Sequence, residues 1–256
     1  MSVNTTNANK KLGFDNTMKL DFNKHWSFST FNRMMLAAYH ISKLPINSRV
    51  LEIGAGTSDL KEIVKINFRR TDLEFIKIDA DKQYSDDIDF IGDVTEEYIE
   101  SCLDTNIQIN DKFNAIVMME VVEHIGRDNV KHLLEKIYEK WLVDEGILIL
   151  TTPTPPYNAA YENKVWPTDH EYEFTLLEIK ALVNCKFKII HEMSWSIEER
   201  DYYKEICDSQ FLMEVKARLE KAGFPESYIR AQIAALAPTI AGRQILMIAK
   251  ARRKIE

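Results

Sequence analysis

Two short stretches of this 256-residue chain place glycines, carboxylates and imidazoles at spacings that chemistry can use. In VLEIGAGTSDL an apolar run ends at Ile53, and Gly54 and Gly56 follow it. Without Cβ atoms, two glycines at a strand end let the backbone turn sharply and come close to a ligand. Asp79 stands at the end of the next apolar run, placed to accept hydrogen bonds from a ribose diol. Ser58 or Asp59 falls where a dinucleotide fingerprint has its third glycine, and no Gly-Lys-Ser/Thr follows, so neither that fingerprint nor a phosphate loop is written here. The second stretch is E-x-x-E-H: Glu120, Glu123 and His124 follow the run FNAIVMM, and His170 lies further on in TDHEYEF. Two carboxylates and two imidazoles could hold a divalent ion that orients and acidifies a hydroxyl. The same residues also suit a bracing or helix-capping role, and the spacing leaves both readings open.

Positioning these residues requires strands that end beside one another. Short runs rich in Val, Ile, Leu and Phe at Arg49–Ile53, Glu74–Asp79, 113–118 and 146–151 alternate with helical stretches. That alternation predicts a mostly parallel sheet with helices on both faces. Between the third and fourth runs, Val130, Leu133, Leu134, Ile137, Tyr138 and Trp141 form an amphipathic stripe, which predicts a core helix over 128–141. Residues 25–44 have helical spacing, with Phe28, Phe31, Met35 and Ala38 near one face, and predict a helix over the edge or front of the sheet. Thr175, with Glu178 three residues on, predicts a capped helix over 175–183. Strands over 187–191 and 243–251 complete the pattern. Residues 1–24 show no sustained period and read as a flexible arm, and about 198–240 reads as a helical insertion broken at Gly223, Phe224 and Pro225.

The composition bounds the rest. With 45% hydrophobic and 29% charged residues the chain is of globular type, and a formal charge of -7 excludes a highly basic nucleic-acid coat. Cys102, Cys185 and Cys207 are too scattered for a disulfide framework or a cysteine-rich zinc site, which predicts a reducing, cytoplasmic location. No apolar run reaches the roughly 20 residues that span a bilayer, and the first residues lack a signal-type apolar core, so no membrane association is expected.

The order of these motifs resembles the class I, seven-stranded Rossmann-like S-adenosylmethionine-dependent methyltransferases. The resemblance rests on Glu52, Gly54 and Gly56 as acid-x-Gly-x-Gly, on Asp79, on Gly92 to Val94 as Gly-Asp-Val, and on FNAIVMMEVVEHI. It implies a Rossmann-like α/β fold whose methyltransferase domain takes in residues 25–256, with the helical insertion before the last strand. It implies that Gly54 and Gly56 back the methionine and ribose part of S-adenosyl-L-methionine, with Glu52 supporting the loop. Asp79 would hold the ribose, Asp93 the adenine amino group, and Val94 and Ala80 would lie at the adenine. Glu120 would lie near the methyl end.

A narrower similarity joins Glu120, Glu123, His124 and His170, with TTPTPPYN and DHEYEFT around them, to the small-RNA 3′-terminal 2′-O-methyltransferases. It implies a Mg2+ or Mn2+ ion beside a terminal ribose. Many small-molecule enzymes of the same superfamily carry such a motif without a metal. Tyr157, Tyr161, Trp166 and Tyr172 give the segment after Thr152 an aromatic lining suited to a planar acceptor. The leading expectation is therefore transfer to an O or N atom of a small molecule. RNA ribose methylation is the alternative, and a non-catalytic cofactor-binding scaffold is a third. The insertion is a candidate lid or homodimer surface.

Overall fold

The computed structural model describes residues 28–96, 112–155, 170–197, 208–237 and 242–252. Seven strands form one sheet: β1 (Arg49–Ile53), β2 (Glu74–Asp79), β3 (Phe90–Ile91), β4 (Phe113–Met119), β5 (Leu142–Pro153), β6 (Phe187–Ile197) and β7 (Gly242–Ala251). Their spatial order is β3-β2-β1-β4-β5-β7-β6. The first five run parallel, whereas β7 lies antiparallel between β5 and β6. This is the expected mostly parallel, Rossmann-like α/β sheet.

The apolar runs became central strands because both of their faces are covered. Leu51, Ile116, Met118, Leu148, Leu150 and Met247 pack on one side, under α3 (Arg127–Lys136) and α4 (Leu176–Asn184). Val50, Ala115, Val117, Ile149, Leu246 and Ile248 pack on the other, with α1 (Phe28–Ser42) and α2 (Leu60–Phe68). Alternate residues serve opposite cores, as a two-residue period dictates.

The predicted stripe on α3 is buried at Val130, Leu133 and Leu134, and a π-helical turn at Ile137–Trp141 adds Ile137 and Trp141 before β5 begins at Leu142. Tyr138 borders the same core. The predicted cap of α4 is a full capping box: Thr175 Oγ1 accepts from the Glu178 N–H, and the Glu178 carboxylate accepts from the Thr175 N–H.

The structure differs from expectation on α1. Its fully buried face is Met34, Ala37, Ala38 and Ile41; of the predicted stripe Ala38 is buried, while Phe31 and Met35 are only half buried. The two alanines let the helix lie close against its neighbours, with Met34 and Ile41 packed beside them. β3 was not expected, being only two residues long. β5 and β6 run past the predicted limits because pairing to β7 extends both, to Pro153 and Ile197.

Within the predicted insertion, α5 (Gln210–Lys221) is capped by Ser209, whose Oγ accepts from the Leu212 N–H. The chain breaks where predicted and resumes as α6 (Glu226–Leu236), which packs on β6 and α1. Residues 1–24, 198–207 and 238–240 lie outside the described residues. Among those described, no helix is long and apolar enough to cross a membrane.

Strand order reverses between β1 and β4. In open α/β sheets the crevice beyond the carboxyl ends at such a reversal is where ligands bind. Gly54, Asp79, Glu120 and Thr154 follow or close β1, β2, β4 and β5, so all four reach that one edge.

Candidate active site

The glycine turn begins directly after β1. Gly54 has φ of +65° and Gly56 of +46°, backbone that L side chains rarely adopt. At Gly54 a Cβ would also collide with Val121 Cγ2, so a side chain here forces Val121 to shift. The turn is fixed from the neighbouring strand: the Ala55 N–H donates to the Ile78 carbonyl at 3.1 Å, and the Gly56 N–H to Asp79 Oδ2 at 2.7 Å.

Beside the turn, under α1, is a cavity of about 300 Å3 lined by Arg33, Met34, Glu52, Gly54, Thr57 and Met119 among others. Glu52 is 3% exposed, and its Oε2 has no hydrogen-bond partner. Burial pushes its carboxyl up to about 7, against the opposing pull of a Ser58 hydrogen bond and of Lys77. A buried polar atom without a partner at the wall of a cavity is a group waiting for a donor.

Asp79 is half buried and does two jobs in the backbone. Oδ2 holds Gly56, and Oδ1 accepts from the Asp81 N–H at 2.8 Å. The adjoining Ala80 is exposed at this edge. Asp93 follows β3 and closes its own turn, Oδ1 accepting from the Thr95 N–H at 2.8 Å and from Thr95 Oγ1 at 2.7 Å. Val94 is 4% exposed and packs into the core with Ile78 and Leu133.

A second group gathers where β4 and β5 end. Glu120 has φ of +57°, an unusual conformation for a residue with a side chain. Its N–H donates to the Thr151 carbonyl at 3.0 Å and lies 3.1 Å from Thr151 Oγ1. Its Oε1 accepts from Thr151 Oγ1 at 3.0 Å and lies 3.4 Å from Arg33 Nη1, while Oε2 accepts from Gln244 Nε2 at 3.1 Å. Burial raises its carboxyl above the usual range, and Arg33 opposes that shift most. Glu123 is 1% exposed, with Oε2 accepting from Thr152 Oγ1 at 3.1 Å. Burial, and then the nearby Glu120 charge, push it up to about 8.

His124 and His170 meet edge to face, ring centroids 4.9 Å apart. The meeting is arranged by main chain, because the Glu123 carbonyl accepts from the Glu171 and Tyr172 N–H groups at 2.8 and 3.1 Å. Glu123, His124 and His170 each offer a ligand atom, all within 4.8 Å of one another. Glu120 stands apart from that cluster, engaged with Arg33, Thr151 and Gln244. Of the four predicted residues, then, three converge and the fourth borders them.

Of the predicted aromatic lining, Tyr157, Tyr161 and Trp166 lie outside the described residues. Tyr172 packs its ring on Phe174 at 4.9 Å between centroids and donates its hydroxyl to Glu178 Oε1 at 2.8 Å. Its contacts brace the loop that carries His170. Sequence reasoning passed over Arg33, Glu173 and Gln244. Glu173 is 6% exposed, and its Oε1 is 3.0 Å from His170 Nδ1. Only its place three residues after His170 hinted at this.

The family model described as a methyltransferase domain matches residues 29–203. No curated protein matches the sequence significantly. Among solved structures, the chain is similar to a SAM-dependent methyltransferase from Archaeoglobus fulgidus, at 18% identity and a TM-score of 0.54, covering 87% of this chain and 94% of that one. It is also similar to the small RNA methyltransferase HEN1, at 13% identity and a TM-score of 0.55, covering 89% of this chain and 26% of that one. The N-methyltransferase NodS from Bradyrhizobium japonicum WM9 aligns at 10% identity and a TM-score of 0.50, covering 88% and 97%. At such identities these likenesses report the shared fold, and the family match over well over half the chain reports the kinship. With the glycine turn, its acidic partner on β2 and the strand order as found, the chain belongs to the class I S-adenosylmethionine-dependent methyltransferases.

Proposed function

We propose that this methyltransferase delivers its methyl group to a hydroxyl oxygen of a small-molecule acceptor, with a Mg2+ or Mn2+ ion held by Glu123, His124 and His170 and with Glu120 beside them. The observation that carries this reading is the convergence of those three ligand atoms within 4.8 Å at the end of β4. The donor chemistry fits a divalent ion: one carboxylate and two imidazoles, the carboxyl being pushed up to about 8 by burial and by the nearby Glu120 charge. Such an ion orients an acceptor hydroxyl and makes it more acidic.

The cofactor's place is supported by the cavity against the glycine turn. Glu52 Oε2 lacks a hydrogen-bond partner there, and Gly54 and Gly56 expose backbone. Asp79 and Ala80 would face its ribose and adenine ends, Asp93 and Val94 the adenine. Bound there, S-adenosylmethionine would supply a methyl group, its carbon–sulfur bond breaking as the bond to the acceptor oxygen forms, with sulfur keeping the electron pair and the hydroxyl proton lost to a base. The chain's residues supply alignment, which accounts for most of what a protein must add to a reactive sulfonium.

A second reading, methylation of a ribose hydroxyl at an RNA end, draws on the match of Glu120, Glu123, His124 and His170 to the small-RNA enzymes' motif. The chain's charge of -7 favours the small molecule as the acceptor class. Calorimetric titration of cofactor-stripped protein with S-adenosylmethionine, then with Mn2+, then with a short single-stranded RNA bearing a free 3′ end, separates the readings. Mn2+ binding that His170→Ala abolishes, without RNA binding, is expected. Metal-dependent RNA binding selects the ribose reading, and indifference to Mn2+ overturns the ion.

A further inference from the structure

We infer that Glu173 is a positioning residue that fixes His170 as a metal ligand through its Nε2 atom, an inference that rests on the ion site proposed above. Glu173 is 6% exposed and sits between Tyr172 and Phe174, whose ring is fully buried. Its Oε1 is 3.0 Å from His170 Nδ1, and the His170 side chain is itself only 15% exposed. A carboxylate offers only acceptors, so the ring nitrogen at this contact carries the hydrogen. In a neutral imidazole that leaves the lone pair on Nε2, and ligation by His170 falls to that atom. Histidines that hold metals usually give their other nitrogen's hydrogen to a carboxylate or carbonyl, which sets the tautomer, holds the ring angle and raises ligand basicity.

The surroundings give this contact a ligand-orienting purpose beyond a surface pair. Exposed ion pairs contribute little to stability, and burying a carboxylate costs more than one hydrogen bond returns unless the geometry is put to use. Here two further constraints act on the same ring. The Glu171 and Tyr172 N–H groups both donate to the Glu123 carbonyl, so the loop carrying His170 is pinned to the residue beside His124. Phe174, one residue after Glu173, anchors the loop in the core. Main chain thus sets where His170 stands, and Glu173 sets which way its ring turns and which nitrogen is left to bind. The pattern H-x-x-E places both on one short segment, so a single loop carries the ligand and its orienting group.

The test is Mn2+ binding by the full chain, followed by electron paramagnetic resonance with detection of imidazole nitrogen coupled to the ion. S-adenosylmethionine titration serves as the control for folding. Glu173→Ala should weaken Mn2+ binding about 10- to 100-fold with cofactor affinity unchanged. Glu173→Gln, whose amide oxygen still accepts from Nδ1–H, should recover most of that loss. Glu173→Leu, apolar and of similar volume, keeps the test available should the alanine variant fold poorly, and its spectrum should show one coupled imidazole in place of two. If wild type binds Mn2+, His170→Ala loses it, and the Glu173 variants bind as wild type does, the positioning role is overturned and the ion site stands. If wild type binds no Mn2+, the ion site fails, and the role of Glu173 fails with it.

Discussion

Arg33 on α1, which lines the cavity beside the glycine turn, and Glu120 at the end of β4 are joined by an ion pair of 3.4 Å. The helix that precedes the sheet is therefore tied to the strand end next to the proposed ion. Both side chains are mostly buried, so removing one partner leaves a charge in a poor medium. Arg33→Met should lower stability by about 2 kcal/mol, somewhat below a fully buried pair because some solvent reaches both groups. Urea denaturation checks it. In the double variant Arg33→Met/Glu120→Gln much of the loss should be recovered, and strict additivity would show that the pair does not interact.

Gly54→Ala should cost both fold and cofactor. The added Cβ collides with Val121 Cγ2, and the backbone there is at φ of +65°. Strain plus overpacking amounts to roughly 2–4 kcal/mol. Thermal unfolding should show the loss, and calorimetry should show S-adenosylmethionine affinity down by more than about tenfold. Adding Val121→Ala should relieve the steric part alone.

Asp79 illustrates how much of the site was legible beforehand. Its position after a second apolar run placed it at a strand end beside the glycine turn, but its hold on the Gly56 and Asp81 N–H groups was invisible without the β1–β2 pairing. Local patterns carried the strands, the capping box at Thr175 and the stripe on α3, because each is written within a few residues. Contacts between distant segments were not readable. Arg33 and Gln244 reach Glu120 from opposite ends of the chain, and Glu173 became visible only once His170 was seen to need support. The buried face of α1 was read only in part for a related reason. The predicted stripe held the buried Ala38 but missed Met34, Ala37 and Ile41, which the packing partners select.

Asp79→Asn should separate the two tasks of that residue. The amide keeps one acceptor oxygen and turns an NH2 group toward a backbone donor. The turn should loosen, and S-adenosylmethionine affinity should fall about tenfold, a figure that corresponds to the loss of one good hydrogen bond to a charged group. An unchanged dissociation constant would remove Asp79 from the cofactor site.

Glu52 predicts a pH dependence of stability. Its folded-state carboxyl is raised from 4.5 to about 7 by burial, so the folded state binds a proton more tightly than the unfolded chain. The stabilisation is complete below about pH 4.5 and is lost as pH rises through 7, at most about 3 kcal/mol in all. Glu52→Gln should be more stable than wild type at pH 8 and should approach it near pH 5. Urea midpoints at the two pH values test this, and parallel behaviour of the two proteins would contradict it.

The antiparallel β7 has a consequence for how the protein is made. It fills the slot between β5 and β6, and its Gln244 contributes to the Glu120 environment. A ribosome that has released the chain only as far as α6 has delivered every other strand, yet β5 and β6 still lack their common neighbour. Glu120 is then still short of one of its partners. Maturation of this pocket must therefore wait until residue 251 has cleared the exit tunnel, and a nascent chain halted earlier would present two unpaired strand edges to chaperones in place of a finished sheet.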